Sequence, residues 1–89
     1  MSVSELVIAE NCKKAGLSDD ETRVYIAMVK VGARQNSPKE VEAIMKESKI
    51  PAKGKFNAVL QQLVNKGYVK REAREKRARY YLTEGKKLF

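Results

Sequence analysis

The stretch REAREKRARYYL, residues 71–82, places four arginines and one lysine within nine residues and follows them with two tyrosines and a leucine. It reads in two ways. Ala, Arg, Glu and Lys are strong helix formers. Glu72 with Lys76 and Glu75 with Arg79 have the i, i+4 spacing of favourable helical pairs. Against a helix, residues 70–79 contain no large apolar side chain. A helix there has no face to bury, and such a face supplies most helical stability in proteins. The flanks, Tyr68-Val69 and Tyr80-Tyr81-Leu82, are rich in strand formers, and Tyr80 and Leu82 alternate with Arg79 and Tyr81. The balance favours a hairpin with strands over residues 68–71 and 78–82 and a tip near residues 73–76. No Asn-Gly or Gly-Gly fixes a tight turn, so a longer, flexible loop is expected. The tyrosines and leucine then anchor the hairpin, and the arginines are carried outward. A planar guanidinium suits phosphate and a narrow minor groove.

Upstream of the hairpin, residues 53–66 predict a helix in which Phe56, Val59, Leu60, Leu63 and Val64 fit the i, i+3, i+4, i+7, i+8 template. The opposite face carries Gly54, Lys55, Ala58, Gln61, Gln62 and Asn65, with Asn57 at the boundary. Gly67 ends the helix. Pro51 biases Ile50 away from helical angles, so the chain breaks there, and Ile50 is expected to plug the space between two helices. Ser37-Pro38-Lys39-Glu40 reads as a capping box with Pro38 at the first helical position. The helix it opens shows Val41, Ile44 and Met45 on one side and ends near Ser48.

Ser18-Asp19-Asp20-Glu21 is a second capping box, with acids in the first turn, and is read as a cap rather than a metal site. Its helix carries Val24, Tyr25, Met28 and Val31 and closes at Gly32. Residues 4–15 predict a first helix, capped by Ser4, with Glu5 at its positive end and Lys13 and Lys14 at its negative end. Its apolar face is broad (Leu6, Val7, Ile8, Ala9, Cys12) and can pack in part on a second copy of the chain. After the hairpin, Thr83 starts a terminal turn that ends in an exposed Leu88 and Phe89.

The totals bound the chemistry. Eighty-nine residues suit one small domain, here 1–89. There is no histidine and only one cysteine, Cys12. The commonest general base and the commonest zinc ligand are therefore missing, and no phosphate-loop or dinucleotide glycine motif replaces them. A non-enzymatic protein without metal or cofactor is expected. No apolar run approaches the ~20 residues of a membrane span, and no signal peptide is evident. With the lone cysteine, this predicts a cytoplasmic protein. The formal net charge is +8, and it is unevenly placed. Residues 1–45 hold six Lys/Arg against seven Asp/Glu, and residues 46–89 hold thirteen against four. A basic half on a nearly neutral platform is what a polyanion-binding face needs.

The succession of two capped helices, a turn ending in "IP", "FNAVLQQL", "NKGYVKRE" and "RYYLTEGKKL" resembles the winged helix-turn-helix regulators, closest to the TrmB-type and MarR-type domains. "AGLSDDETRVYIAMVKVG" is similar to the opening helix of TrmB-type domains, and "YYLTEGKKL" resembles the exit from the wing in MarR-like ones. The resemblance covers residues 15–89. It implies a mainly α domain with a small β-hairpin, about four helices plus a two- or three-stranded wing. It also implies a nucleoid-associated transcriptional regulator that binds double-stranded DNA as a homodimer. Residues 1–16 would be an added helix replacing the dimerising helix into which MarR-like proteins continue. No effector-binding domain follows, so no small-molecule effector is expected.

In this family the helix over 53–66 lies in the major groove. The expected contacts there are Lys53, Lys55, Asn57, Ala58, Gln61 and Gln62, since lysine can donate to guanine and glutamine or asparagine can pair with adenine. Ser37 and Lys39 are expected to begin the preceding helix and offer its N-terminus to a phosphate. Arg74, Lys76, Arg77 and Arg79 are the expected wing contacts. Two alternatives use the same fold, a protein–protein module docking an acidic partner and a non-specific chromatin-type DNA binder.

Overall fold

The computed structural model describes residues 3–74 and 77–89. Four helices and three strands form in the order α1 (Val3–Lys14), α2 (Asp19–Val31), β1 (Lys39–Glu40), α3 (Val41–Ser48), α4 (Lys53–Asn65), β2 (Val69–Arg74) and β3 (Arg77–Leu82), followed by a 3₁₀ turn at Glu84–Lys86. The sheet is antiparallel with order β1-β3-β2. This is the mainly α architecture with a small sheet that the sequence predicts. Residues 71–74 and 77–82 pair as strands, so the reading of that stretch as one helix does not hold.

Local chemistry explains where the helices begin and stop. The Ser18 capping box forms reciprocally. The Glu21 N–H donates to Ser18 Oγ at 3.2 Å, and the Ser18 N–H donates to Glu21 Oε1 at 2.9 Å. Gly67, at φ 86°, ends α4: its own N–H bonds Val64 O and the Tyr68 N–H bonds Leu63 O, each at 3.0 Å. That pair of bonds is a Schellman stop, and it turns the chain directly into β2. α3 ends on Lys49, a non-glycine residue at φ 61°. Ser48 tightens this turn, donating to Met45 O at 2.7 Å and accepting the Ile50 N–H at 3.3 Å. Ile50 is thereby dropped into the core, as expected.

The core is one cluster. Phe56, Val59, Leu60 and Leu63 of α4 meet Val24, Tyr25 and Met28 of α2, Ile44 of α3, and Val69 and Leu82 of the sheet. Tyr25 is fully buried and meets Tyr68 edge-on, with centroids 6.4 Å apart. Burial pushes its pKa up to about 12, although its hydroxyl accepts the Leu88 N–H at 3.0 Å. Burial likewise raises the Cys12 thiol to about 11, against a bond to Thr22, so it is not a thiolate nucleophile at neutral pH.

Four expectations need correcting. The Ser37–Glu40 capping box does not form. Lys39 and Glu40 are β1, paired with Tyr80 and Arg79 of β3, and α3 begins at Val41 with no side-chain cap. The ladder takes the backbone, and the Glu40 carboxylate is held by Arg77 and Arg79 rather than by a helix N–H. Ser37 sits in a tight turn, exchanging backbone bonds with Arg34 at 2.8 and 3.3 Å. Ser37 and Lys39 therefore do not open a helix. The hairpin connection is also shorter than the expected loop, because the ladder continues to Arg74 opposite Arg77 and leaves two residues between the strands. Those two, Glu75 and Lys76, lie outside the described residues, as does part of the expected tip. Ser4 lies inside α1 rather than capping it. Leu88 and Phe89 are half-buried rather than exposed. The Asn11 amide donates to Leu88 O at 3.0 Å, and the Phe89 ring lies against Tyr25 and beneath the Arg34 guanidinium at 4.2 Å.

A part-buried ion pair ties α2 to the end of α4. The Glu21 side chain is almost fully buried, and Lys66 Nζ lies 2.9 Å from each of its oxygens. Burial alone would raise the carboxyl pKa. The Ser18 N–H, Lys66 and the Ser18 hydroxyl outweigh it and hold the value below the ordinary 4.5. A carboxyl with a depressed folded-state pKa stabilises the fold above its unfolded value, and that stability is lost as pH falls through the folded value. Glu21→Gln is expected to lower stability by about 1–2 kcal/mol at neutral pH. It should also flatten the loss of stability on acidification below about pH 4.5. Urea unfolding of both proteins across that range checks both effects.

Candidate nucleic-acid interface

Burial of one side of α4 decides what its other side shows. With 3.6 residues per turn, the centre of the face opposite Phe56, Val59, Leu60 and Leu63 is Gly54, Ala58, Gln61 and Asn65. Lys55 and Gln62 lie on one flank and Asn57 on the other, and all seven are exposed. The Gln61 amide donates to Asn65 Oδ1 at 2.9 Å, one turn along, so these two form a small polar ledge. Space around Gly54 is open: beyond its own stretch of helix backbone and its chain neighbours, no atom lies within 4 Å of where a Cβ would sit. Between Gly54 and Ala58 the helix presents little bulk, which permits close approach of a ligand surface.

The start of α4 is electrostatically unusual. Its N-cap is Ala52, with no side-chain cap, and its first turn holds no acid while carrying Lys53 and Lys55. α2 is the opposite case, with Asp19, Asp20 and Glu21 in its first turn and a complete capping box. Basic residues beside uncapped N–H groups oppose the helix dipole, at roughly 0.3–1 kcal/mol each, unless an anion is bound there. Lys55 partly escapes by leaning to Asp20, Nζ to Oδ2 3.4 Å. Lys53 has no carboxylate within ion-pair distance among the described residues.

The ladder register sorts the wing into two faces. Cross-strand partners point to the same side. Val69, Arg71 and Ala73 thus share the core-side face with Leu82, Tyr80 and Ala78, and Lys39 of β1 joins them opposite Tyr80. Lys70, Glu72 and the Arg74 position share the other face with Tyr81, Arg79 and Arg77, and Glu40 joins them opposite Arg79. On that second face Glu40 lies 3.1 Å from Arg77 and 3.7 Å from Arg79. The backbone of Arg74 is placed in β2, but its side chain lies outside the described residues.

Ser37, Lys39 and Arg79 come together in a cleft of about 420 Å³ shared with Asn36, Pro38, Glu40 and Ala43. They therefore stand near one another even though no helix begins at Ser37. Arg71 is exposed and was missed by the sequence reading. Alternation onward from the apolar Val69 puts it on the same face as Val69, and the register sets it beside Tyr80. Among the described residues no group of three His, Cys, Asp or Glu could hold a metal ion, and no helix is long and apolar enough to cross a membrane.

Residues 13–85 match the family model described as "Sugar-specific transcriptional regulator TrmB". Among solved structures, the chain is similar to the crystal structure of a MarR transcriptional regulator from Methanosarcina mazei Go1, at 24% identity and a TM-score of 0.63. The match covers 92% of this chain and 52% of that one, so the chain spans about half the length of that regulator. The likeness shows the winged helix-turn-helix fold, with α3 and α4 as the helix pair and β2–β3 as the wing. No curated protein matches the chain.

The exposed side chains of α4 contribute little to folding. Lys55→Ala, Gln61→Ala and Gln62→Ala are each expected to shift stability by no more than about 0.5–1 kcal/mol, because exposed pairs and surface polar contacts are weak. Chemical denaturation of each variant checks this.

Proposed function

The chain belongs to the TrmB family of transcriptional regulators, and on that premise we propose that it is a sequence-specific double-stranded DNA-binding protein acting as one winged-helix domain. The observation that carries this is the start of α4, an exposed helix N-terminus with no cap, no acid and two lysines in its first turn. A phosphate there would satisfy open N–H groups and reverse an unfavourable charge arrangement.

With that end on the backbone, the face built on Gly54, Ala58 and Gln61 enters the major groove. The small Gly54 and Ala58 allow close approach, and Ala58 can meet a thymine methyl. Gln61 and Gln62 can pair with adenine edges, Lys55 can leave Asp20 for a guanine or phosphate, and Asn57 reads from the other flank. The cleft around Ser37 and Lys39 faces the flanking backbone, and the basic residues of the wing stretch, Arg74, Lys76, Arg77 and Arg79, add charge toward backbone and minor groove, Arg77 and Arg79 to the extent that Glu40 releases them. The net charge of +8 supplies a salt-dependent pull toward any duplex, and the α4 face supplies sequence preference.

The same reading includes a homodimer. Leu6 and Val7 of α1 are 57% and 52% exposed, side by side on a helix whose Ile8 and Cys12 are buried. A two-fold dimer joined through such patches would offer two α4 helices, the number that a two-fold-symmetric site requires. For a protein-docking module, Leu88 and Phe89 offer little, since both pack against Tyr25, and the exposed face of α1 is the surface left to it.

Selection of bound duplexes from a random pool at near-physiological salt is expected to return a common, roughly palindromic motif. Gln61→Ala should weaken binding to that motif by about 1–3 kcal/mol per lost bidentate pair while leaving random duplex nearly unchanged. Equal loss on both duplexes, or no enriched motif, contradicts the reading role. Leu6→Glu with Val7→Glu is expected to turn a dimer into a monomer in sedimentation without unfolding it.

A further inference from the structure

The wing is rich in arginine, yet two of its guanidinium groups are already engaged. Glu40 comes from β1, outside the hairpin, and its two oxygens are shared between Arg77 and Arg79. The register makes this arrangement systematic. Glu40, Arg79 and Glu72 occupy one row across the three strands, on one face of the sheet. The row on the opposite face is Lys39, Tyr80 and Arg71. Lys39 and Arg71 have no carboxylate partner among the described residues. Tyr80, packed on the core between them, fixes the row in place. The row Glu40–Arg79–Glu72 is thus internally compensated, while the row behind it carries two cations without a carboxylate partner, about two strand spacings, ~10 Å, apart, and Lys70 on the first face is likewise unpaired among the described residues.

Resting on the DNA-binding reading above, we propose that Glu40 withholds Arg77 and Arg79 from phosphate, so that the sheet's contact with the DNA backbone falls to its unpaired cations, Lys39 and Arg71 on one face and Lys70 on the other. The carboxylate does this in two ways. It holds one nitrogen of each guanidinium, Arg77 Nη1 at 3.1 Å and Arg79 Nη2 at 3.7 Å, and its own charge repels the phosphate from that face. The consequence is a limit on sequence-independent affinity, which lysines and arginines on phosphates supply. Glu40 itself touches no base. It is a positioning residue that sets how much of the wing's charge a duplex can use.

The test is a double-mutant cycle of Glu40→Gln and Arg77→Ala, read as affinity and salt slope on a random-sequence duplex and, in parallel, as affinity for heparin. Glu10→Gln serves as a control that removes the same charge from an exposed position on α1. Folding of each variant is checked by its thermal midpoint. Arg77→Ala is expected to cost less than about twofold in the wild-type background and about five- to tenfold in the Glu40→Gln background. Glu40→Gln should steepen the salt slope by about one unit per released arginine, near 0.9 per phosphate contact. Glu10→Gln should leave the slope unchanged. Lys39→Ala with Arg71→Ala should lower the wild-type slope by about two. If the cycle is additive on both ligands, or Glu10→Gln matches Glu40→Gln, the masking role is overturned. If the cycle is non-additive on heparin while no duplex is bound, the masking stands and the DNA-binding reading falls.

Discussion

Burial of Phe56, Val59, Leu60 and Leu63 fixes the rotation of α4 about its own axis, and the rest of the molecule follows from that rotation. These side chains are nearly or fully excluded from solvent against α2, α3 and the sheet. Each contributes roughly 1.5–3 kcal/mol by leaving water. Turning the helix by one residue would expose Phe56 and forfeit more than any exposed contact on the opposite face could return. The Lys55–Asp20 pair, for comparison, is worth at most about 1 kcal/mol. Polar and small side chains therefore face outward because the apolar ones cannot. Ile50 locks the turn before α4, and Gly67 turns the chain after it straight into the wing.

Charge is arranged on this scaffold by two different rules. Where a buried acid meets a base at the edge of the core, as Glu21 meets Lys66, the pair joins elements and its loss is felt in stability. Where they meet on the surface, as at Lys55–Asp20 and Glu40–Arg77, the pair contributes little to folding and can be exchanged. Such weak pairs sit at both proposed contact regions, the start of α4 and the wing. A polyanion would compete with Asp20 and Glu40 for the same cations, so these two acids set the baseline from which binding is measured.

Much of this was legible in the sequence. The Ser18 box, the Gly32 and Gly67 stops and the i, i+3, i+4 stripe of α4 are local signals, and each formed within a residue or two of its expected place. The hairpin was recognisable because residues 70–79 offer a helix nothing to bury. The Ser37–Glu40 box misled because a local pattern met a stronger distant demand. Strand β3 needed a partner for Arg79 and Tyr80, and two of its arginines needed a carboxylate. Neither requirement is visible within four residues of Ser37. The docking of Leu88 and Phe89 on Tyr25 was equally illegible, since it spans over sixty positions. For the interface, the exposed face of α4 followed directly from its apolar stripe, whereas Arg71 and the compensation of Arg77 depend on strand register, which the turn had left open.

The central claim is that the polar face of α4 and the basic sheet are presented together to one double helix. Amide NMR of the labelled protein titrated with a short duplex tests it most directly. The account predicts that perturbed signals gather at the start and outward face of α4, around Gly54, Ala58 and Gln61, and on β1 to β3 around Lys39 and Arg71, and that they fade as salt rises. Perturbations confined to α1 around Leu6 and Val7, or spread evenly over the surface, would contradict it.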